Sequence, residues 1–529
     1  MAPERGVVET WSIRKPAVSG NAGLVASQHY AASDVGARVL AEGGNAVDAA
    51  VAVSFAIGTV EPWMSGLGGG GFMLVYSAAE NKCRAVDFAM RAPAGLDPAD
   101  YPLDEGGIDS DLFGWPAVIG DRNVSGPYSI AVPGQLAGVA TALEQFGTRT
   151  LAQSLAPAIE LAEQGMLADW YAGLKIAAAA PTLSRYEESA RTYLPGGFVP
   201  SGEWAGPVSR LKLGNLAQTL KRISDVGWDD FYRGDIAQAI VRDAQALGSS
   251  LRIEDLNCYQ PTVLDADESM YRGAKFYTAP GLTAGPTLRD VLTRLELDLQ
   301  PGSVPDADAY IAYANAMLEA YKTRLSSLGD ADESRAPSCT THISVTDKDG
   351  NMVALTQTLL SVFGSKVMLP ETGILMNNGI MWFDPRPGRP NSLAPGKRPL
   401  SNMCPVIAER EDGLRIAIGA SGGRRIMSAV MQILSSLIDY KLDVDTAVHQ
   451  PRIDVSGNPW VNAYETLDPA ICEALAAQFD LRTDPHVVYP ALFACPNLVT
   501  HHSGSSTDPA RQSGGAFVMS PWAKVASVD

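Results

Sequence analysis

Hydrophobic and polar positions divide the chain into a helix-rich first part and a strand-rich last part. Apolar residues at helical spacing predict helices at residues 33–40 and 45–60, and the Ala and Val content of the second helix indicates that it is buried. Apolar runs on either side of a turn predict strands at residues 72–76 and 85–88. Residues 130–325 are mostly helical in pattern, with Pro and Gly in the loops between helices rather than in a domain linker.

The pattern changes to alternation after a polar, charged stretch at residues 329–338. Residues 342–346 and 352–358 alternate on either side of a short turn, which predicts a β-hairpin. A strand at residues 414–418 is followed by a glycine turn and a long helix at residues 424–440. A strand-rich part behind a helix-rich part predicts an α+β architecture in which both parts share one core.

Composition and charge exclude several classes of protein. Hydrophobic residues make up 46% of the 529 residues and charged residues 19%, which is typical of a soluble globular protein. The 41 Lys and Arg against 59 Asp and Glu give a net charge of −18, the wrong sign for binding to phosphates, so we expect no nucleic-acid partner. The longest apolar stretches, residues 49–60 and 426–438, are shorter than the roughly 20 residues of a membrane span, so no membrane partner is expected.

The cysteines and the N-terminal residues point to the cytoplasm. No two of the six cysteines form a C-x-x-C motif, so neither a disulfide framework nor a zinc site is indicated. Residues 1–30 contain charges but no apolar run of the length that a secretory signal needs. We therefore expect a cytoplasmic protein without a metal or a cofactor.

A first glycine-rich loop, residues 66–71, fits the G-x-G-x-x-G pattern of dinucleotide-binding proteins. Its context is reversed, because a predicted helix precedes the loop and a predicted strand follows it. We therefore interpret the loop as a tight crossing of two backbone segments, where side chains would not fit.

A second glycine-rich loop, residues 419–423, matches the G-x-S-x-G motif of a serine nucleophile between a predicted strand and a predicted helix. A serine hydrolase built on Ser421 would also need an acid and a histidine later in the chain. The available histidines are His449, His486, His501 and His502. The upstream region lacks the alternating strands and helices of an α/β-hydrolase. Alternatively, the N–H groups of Gly422 and Gly423 at a helix start would stabilise an oxyanion.

Thr340 is a candidate nucleophile of a different kind. If the bond between Cys339 and Thr340 is cut, the freed α-amine, with a usual pKa of about 8, lies on the same residue as the hydroxyl. The residue then supplies both the nucleophile and the base. By themselves, Thr340 and Thr341 fit an ordinary strand equally well.

A series of motifs in a fixed order resembles the γ-glutamyltranspeptidase family over nearly the whole chain. The motifs are residues 43–50, 65–71, 340–345 with 347–351, 373–378, 397–403 and 421–423. The resemblance implies a four-layered αββα N-terminal nucleophile hydrolase. It also implies a precursor that cuts itself into a large subunit, residues 1–339, and a small subunit, residues 340–529, which remain together as a heterodimer. Pairing of two heterodimers is left open.

The resemblance also implies roles for particular residues. Thr340 would be the nucleophile, and the hydroxyl of Thr358 would support it. Gly422 and Gly423 would form the oxyanion hole. Ser401 and Asn402 match two family serines that bind the substrate carboxylate, and the amide of Asn402 can still donate a hydrogen bond.

The resemblance breaks where family members hold the γ-glutamyl group. Ala89 replaces the family arginine that binds the α-carboxylate, and Arg91 is either its substitute or a solvated surface residue. The three positions whose polar side chains hold the α-amino group are Leu360, Gly379 and Trp382 in this chain. An ammonium group without polar partners is costly to bury. The sequence therefore predicts that the amide-cleaving groups are kept and that the glutamate site is changed.

These considerations predict hydrolysis of a small carboxylate-bearing amide, similar to oxamate, through an acyl-Thr340 intermediate, with water or an amine as the acceptor. One alternative is true γ-glutamyl transfer or glutathione hydrolysis, with Arg91 and Asn402 binding the glutamate. The others are a serine hydrolase using Ser421 and a binding protein without activity. The expected partners are the small amide and the protein's own two subunits. The candidates for a local positive charge that would hold an anion are Arg91, Arg424 and Arg425.

Overall fold

The computed structural model describes residues 13–108, 115–202, 205–327, 339–485, 493–502, 511–516 and 521–528. The strands are β1 (Val18–Gly20), β2 (Gly23–Ser27), β3 (Gly70–Ser77), β4 (Lys82–Phe88), β5 (Leu103–Ile108), β6 (Pro116–Val118), β7 (Met166–Leu167), β8 (Arg210–Leu211), β9 (Thr262–Asp265), β10 (Asp267–Tyr271), β11 (Ala274–Thr278), β12 (Cys339–Asp347), β13 (Met352–Leu360), β14 (Val406–Glu409), β15 (Leu414–Ser421), β16 (Ile453–Asp454), β17 (Val461–Tyr464), β18 (Leu481–Asp484), β19 (Cys495–His502), β20 (Arg511–Ala516) and β21 (Lys524–Val528).

The helices lie mainly in the first part of the chain, as the sequence pattern predicts. They are α1 (Tyr30–Ala41), α2 (Ala46–Val60), α3 (Gln135–Phe146), α4 (Leu151–Gln164), α5 (Trp170–Leu183), α6 (Glu187–Tyr193), α7 (Leu216–Val226), α8 (Asp230–Arg233), α9 (Asp235–Ala246), α10 (Ile253–Asn257), α11 (Gly285–Asp298), α12 (Ala307–Ser327), α13 (Arg425–Ile438), α14 (Val444–His449) and α15 (Pro469–Ala476). Among the described helices, none combines the length and the apolar composition that crossing a bilayer requires.

Two seven-stranded antiparallel sheets form the middle of the molecule. The first sheet has the order β1-β20-β19-β15-β14-β11-β10, and the second has the order β21-β2-β12-β13-β3-β4-β9. Each sheet combines strands from before and after residue 339, so both parts of the chain share one fold. The predicted hairpin is confirmed, because β12 and β13 pair antiparallel with Ser344 opposite Ala354.

Alternating side chains along the strands build three separate hydrophobic layers. In β2, Leu24 points into the layer between the sheets, whereas Val25 packs with the helices outside the second sheet. In β15, Ala417 faces the same middle layer, and Ile418 packs with the helices outside the first sheet. The order is therefore helix, sheet, sheet, helix, and the expected αββα sandwich is confirmed.

Two buried carboxylates hold α2 in place. Asn45 and Asp48 form a capping box at the start of the helix. The Asn45 side chain caps the helix, and the Asp48 carboxylate accepts a hydrogen bond from the Asn45 N–H. The fully buried Asp48 also accepts hydrogen bonds from the N–H and the hydroxyl of Thr148. Asp347, at the end of β12, accepts a hydrogen bond from the Ala46 N–H at 3.0 Å. The motifs at residues 43–50 and 347–351 therefore join α2 to the hairpin.

The first glycine-rich loop is a backbone crossing, as interpreted from the sequence. A side-chain carbon added at Gly69 would overlap the carbonyl oxygen of Thr358, and one added at Gly71 would overlap the carbonyl oxygen of Thr356. Only glycine allows β3 to lie this close to β13. The carbonyl of Gly69 accepts hydrogen bonds from the first N–H groups of α3, including that of Gln135 at 3.0 Å.

We predict that Gly69→Ala destabilises the protein by about 1–3 kcal/mol, because the added carbon would push β3 away from β13. The urea midpoint, followed by circular dichroism, measures this loss. Gly66→Ala is the matched control, since nothing lies within 4 Å of a side-chain carbon at that position of the same loop. Equal midpoints for the two variants would contradict the proposed crossing constraint.

Candidate active site

Thr340 lies near the start of β12, in the interior of the second sheet. Its side chain is 4% exposed, and its hydroxyl donates to the Thr358 hydroxyl at 3.4 Å. The pairing of β12 with β13 is regular from Thr341 onward but shifts between Cys339 and Thr341. This irregularity releases Thr340 from the ladder. The proposed cleavage position, at the second residue of the strand, and the nucleophilic role of Thr340 stay predictions.

Thr358 is fixed by its own neighbours. Its hydroxyl accepts a hydrogen bond from the Leu360 N–H at 2.8 Å. Leu360 has a φ of 86°, a left-handed conformation that is unusual for leucine and that frequently marks a functional site. The structure therefore brings Thr340 and Thr358 together, as the sequence predicts.

A buried network of polar side chains supports β13 on its other face. Gln357 accepts a hydrogen bond from the Ser54 hydroxyl at 2.6 Å and donates one to the Ser65 hydroxyl at 3.0 Å. Gln135 donates to the Ser54 hydroxyl at 3.2 Å. This network ties β13 to α2, to α3 and to the glycine-rich loop. Sequence reasoning missed it, although a glutamine within an otherwise apolar strand is a signal that could have indicated it.

Gly422 and Gly423, which we call the glycine turn, connect β15 to α13. Their φ values are 139° and 59°. A side-chain carbon at Gly422 would lie 2.7 Å from the Cα of Ala494, so this position accepts only glycine. The turn precedes the first residues of α13, where backbone N–H groups without a partner inside the helix collect. The geometry suits an oxyanion hole, a role that stays a prediction.

The glycine turn lies at the same end of the sandwich as Thr340. The strands β12 and β15 face each other from the two sheets. Where β12 ends and β15 begins, Gly350 lies against the side chain of Arg415. Further along, the ring of His342 packs against Gly419. The course of β15 from residue 415 to residue 419 therefore follows β12 toward Thr340. Burial lowers the pKa of His342 to about 3, so this ring is neutral at neutral pH.

The contacts of Ser421 do not favour a nucleophilic serine. Its side chain is buried, and its hydroxyl accepts a hydrogen bond from Gln28 Nε2. Among the described histidines, His449 contacts the Asp445 carbonyl and His501 contacts Gln512, and none is bonded to Ser421. His486 lies outside the described residues. The antiparallel sheets are also unlike the parallel sheet of an α/β-hydrolase.

Ser401 and Asn402 form a buried loop held by an arginine that the sequence reasoning missed. Arg324 Nη2 donates to the Ser401 carbonyl at 2.7 Å and to Asn402 Oδ1 at 3.1 Å. The loop also contacts the Leu282 carbonyl through the Ser401 N–H at 2.9 Å. Since Asn402 Oδ1 is occupied, its NH₂ group is the donor that remains for a ligand. An arginine among the apolar residues of a helix was the signal for Arg324.

Arg91 is half-buried rather than fully solvated. Its guanidinium lies over the ring of Tyr259, with 5.8 Å from Cζ to the ring centre, and forms no ion pair within the described residues. The Tyr259 hydroxyl donates to the Ala89 carbonyl at 2.9 Å. Arg398, which sequence reasoning missed, donates to the Asp87 carboxylate on the other side of Ala89. Two arginines therefore flank the position of the absent family arginine, and only Arg398 is neutralised by an acid.

The segments that carry Arg91 and Asn402 run side by side. The N–H of Ala92 donates to the carbonyl of Lys397 at 2.9 Å, and residues 401–402 follow shortly after this contact. The structure therefore brings these two predicted substrate-binding positions into neighbouring segments.

The other two candidate cations have different surroundings. The Arg424 guanidinium lies over the ring of Trp115, with 5.4 Å from Cζ to the ring centre. Arg425 is close to the buried Asp454; burial raises the pKa of this carboxyl, and the charge of Arg425 opposes that rise. Arg424 and Arg425 thus both follow the glycine turn directly, but their guanidinium groups have different neighbours.

The positions that replace the family's polar groups are apolar in their surroundings as well. Leu360 and Trp382 are 3% and 4% exposed and belong to the hydrophobic layer between the sheets, together with Ala89 and Met90. A side-chain carbon at Gly379 would lie 2.7 Å from the Met90 sulfur. Leu360 and Trp382 supply no acceptor for an ammonium group, and the amide oxygen of Asn377 beside Gly379 already accepts hydrogen bonds from the Ala131 and Gly379 N–H groups. Within the described residues, no group of three His, Cys, Asp or Glu side chains is placed to bind a metal ion.

Known proteins are similar to this chain in sequence and in fold. The γ-glutamyltranspeptidase family model matches residues 32–339 and 331–488. The glutathione hydrolase proenzyme of Bacillus subtilis (strain 168) is 33% identical over 489 residues, which cover 82% of this chain and 81% of the relative. The acylase ACY 1 proenzyme of Pseudomonas sp. (strain SE83) is 33% identical over 502 residues, which cover 88% of each chain.

A solved structure supports the same assignment at the level of the fold. The cephalosporin acylase from Bacillus halodurans superimposes with a TM-score of 0.83 over 99% of both chains, at 24% sequence identity. The family match spans most of this chain, and the αββα sandwich agrees with it. The chain therefore belongs to the γ-glutamyltranspeptidase family of N-terminal nucleophile hydrolases.

Proposed function

We propose that the protein is a self-processing amidohydrolase in which Thr340 is the nucleophile. The observation that carries this proposal is the contact between the Thr340 and Thr358 hydroxyls at the end of the sandwich that holds the glycine turn. Cleavage after Cys339 would free the Thr340 α-amine, which then takes the proton from Oγ1. Oγ1 attacks the amide carbon, while the N–H groups of Gly422 and Gly423 bind the developing oxyanion.

The remaining steps of the proposed reaction use the same groups of the protein. The α-ammonium of Thr340 gives its proton to the leaving nitrogen, the C–N bond breaks, and an ester with Thr340 forms. Water loses a proton to the α-amine and attacks this ester, which releases the acid and regenerates the hydroxyl. An amine in place of water would make the reaction a transfer.

We propose that the substrate is a small amide whose acyl part carries a carboxylate but no α-amine, as in oxamate. The apolar side chains of Leu360 and Trp382 and the absence of a side chain at Gly379 support the lack of an ammonium group. The NH₂ group of Asn402 and the guanidinium of Arg91, which has no ion pair within the described residues, supply donors for a carboxylate.

A second candidate is acylase activity toward a larger, apolar acyl group. The apolar surroundings of Leu360, Trp382 and Met90 favour it, and so does the identity to the ACY 1 proenzyme. Glutathione hydrolysis, the activity named for the Bacillus subtilis relative, is compatible with the family but requires an ammonium site. The rates with an oxamate-like amide, an apolar acyl amide and a γ-glutamyl compound distinguish these three activities.

The subunits of the processed protein would be residues 1–339 and 340–529. Both sheets contain strands from both segments, which supports a heterodimer that stays assembled after the cut. The cytoplasmic location expected from the sequence stays a prediction.

We predict that Thr340→Ala yields one uncut chain and lowers amide turnover by at least about 1,000-fold, because both the nucleophile and its amine are lost. A denaturing gel shows the cut, and N-terminal sequencing of the smaller wild-type fragment should begin at Thr340. Thr341→Val, at the neighbouring buried position, is the control and should be cut normally. If Ser421→Ala abolished turnover in a normally cut protein, Ser421 would be the nucleophile instead.

The substrate proposal predicts that the wild-type protein releases ammonia from oxamate with a kcat/KM at least about 10-fold above that for a γ-glutamyl anilide, since the site lacks partners for the α-amine. Coupled ammonia detection and anilide absorbance measure the two rates. A faster anilide reaction would favour γ-glutamyl transfer, and a preference for an apolar acyl amide would favour the acylase alternative.

Arg91→Gln should raise the KM for oxamate about 10-fold with little change in kcat, because a charged hydrogen bond to the carboxylate is lost. Steady-state kinetics measure both constants. Arg84→Gln is the control, since Arg84 lies on β4, a few residues before Arg91, and pairs with the exposed Asp265. An unchanged KM in Arg91→Gln would assign Arg91 to the surface.

A further inference from the structure

A buried arginine lies directly behind the loop that carries Asn402. Arg324, near the end of α12, is only 3% exposed. Its Nη1 donates to the Thr283 carbonyl at 2.9 Å and to the Thr287 hydroxyl at 3.1 Å. Its Nη2 donates to the Ser401 carbonyl at 2.7 Å and to Asn402 Oδ1 at 3.1 Å. All four acceptors are uncharged oxygens.

The positive charge of Arg324 is not neutralised by any acid among the described residues. Buried arginines normally pair with a carboxylate, because an isolated buried charge is costly. Burial lowers the pKa of Arg324 from its usual value, and the groups that oppose this shift are Tyr321 and Cys404 rather than an Asp or Glu. Arginine nevertheless remains protonated at neutral pH. Among the described residues, the site therefore holds a positive charge without a carboxylate as its counterion.

This contact determines how Asn402 can serve a ligand. A guanidinium only donates hydrogen bonds, so it accepts only one of the two amide orientations, with Oδ1 toward Arg324. The Asn402 NH₂ group must then face away from Arg324. Donation from a charged group to Oδ1 also polarises the amide and makes its NH₂ group a stronger donor.

We propose that Arg324 is a positioning residue that orients Asn402 and gives the site its preference for carboxylate-bearing substrates. The inference rests on the proposed function, in which Asn402 binds the substrate carboxylate. The bound carboxylate completes the charge balance that the protein itself leaves open. A protein with a net charge of −18 can thereby hold a small anion, since the attraction comes from a charge buried close to the site.

A second contact of α12 allows the loss of the Arg324 charge to be compared with a general weakening of the packing of this helix. Tyr321, three residues earlier on α12, donates a hydrogen bond from its hydroxyl to the Arg424 carbonyl, beside Gly423. Tyr321→Phe removes this contact of α12 and leaves the charge of Arg324 in place. A general loosening of α12 and a loss of charge behind Asn402 can therefore be distinguished.

The test compares oxamate with oxamide, which differ only in a carboxylate against a neutral amide. In Arg324→Gln, we expect kcat/KM for oxamate to fall about 10-fold to 100-fold, mainly through KM, while the value for oxamide changes less than about threefold. Tyr321→Phe should leave the ratio of the two substrates unchanged. Equal losses for both substrates in Arg324→Gln would overturn the proposal.

Arg324→Lys tests whether the positive charge alone is sufficient. It also replaces Arg324→Gln in the test if that variant does not fold. Lysine keeps the charge but cannot reach both Ser401 and Asn402 in the planar geometry of a guanidinium. We expect a KM for oxamate that rises several-fold, less than in Arg324→Gln, with the oxamide reaction nearly unchanged. Parallel increases for oxamate and oxamide would contradict the assignment.

A double-mutant cycle tests whether Arg324 acts through Asn402. If it does, Arg324→Gln combined with Asn402→Ala should raise the KM for oxamate no more than Asn402→Ala alone. Fully additive increases would show that Arg324 acts independently of Asn402 and would overturn the positioning role.

Arg272→Gln is the control for the loss of a partly buried arginine far from Asn402 in sequence. Arg272 donates to the carbonyls of Leu295 and Leu299 and pairs with Asp439. This variant should lower the unfolding midpoint without changing the oxamate-to-oxamide ratio. A wild-type protein without a preference for oxamate would refute the carboxylate part of the proposed function and this inference with it. A wild-type preference that persists in Arg324→Gln would refute only the inference.

Discussion

The pairing of β12 within the second sheet is the constraint on which the proposed catalysis depends. A residue that acts through its own α-amine must be held in a fixed position. The strand that carries Thr340, β12, is fixed because it pairs with β13 on one side and with β2 on the other. The glycine-rich loop allows β3 to approach β13 closely, and the network around Gln357 holds β13 from its other face. The shift in pairing at Thr340 leaves that one residue outside the regular ladder.

The charge distribution of the site follows from what the protein leaves unpaired. Arg398 is neutralised by Asp87, whereas Arg324 donates to uncharged oxygens in the described part of the chain and Arg91 stacks on Tyr259. In the nearby apolar layer, the side chains of Leu360 and Trp382 offer no acceptor that would replace the hydration of an ammonium group. The same low polarity strengthens hydrogen bonds to a carboxylate. Under the proposed function, this environment suits a simple anionic amide better than a γ-glutamyl group.

Elements formed by residues close in the chain were predicted well. The hairpin of β12 and β13, the helices α1 and α2, and α13 follow from hydrophobic periodicity and glycine turns, since these depend on local spacing. The family motifs placed Thr340 and Thr358 together, and their hydroxyls are 3.4 Å apart. The prediction missed Arg324 and Arg398, because each contacts a partner more than 70 residues away in sequence.

The sequence by itself determined the family, the sandwich fold and the residues expected to cleave an amide, because these depend on local patterns and on motifs in a fixed order. Only the tertiary structure decided that Ser421 is bonded to Gln28, that Arg91 stacks on Tyr259 and that Arg324 lies behind Asn402. Such contacts join segments far apart in the chain. Their existence depends on how both sheets and α12 pack, and no local pattern of residues encodes that geometry.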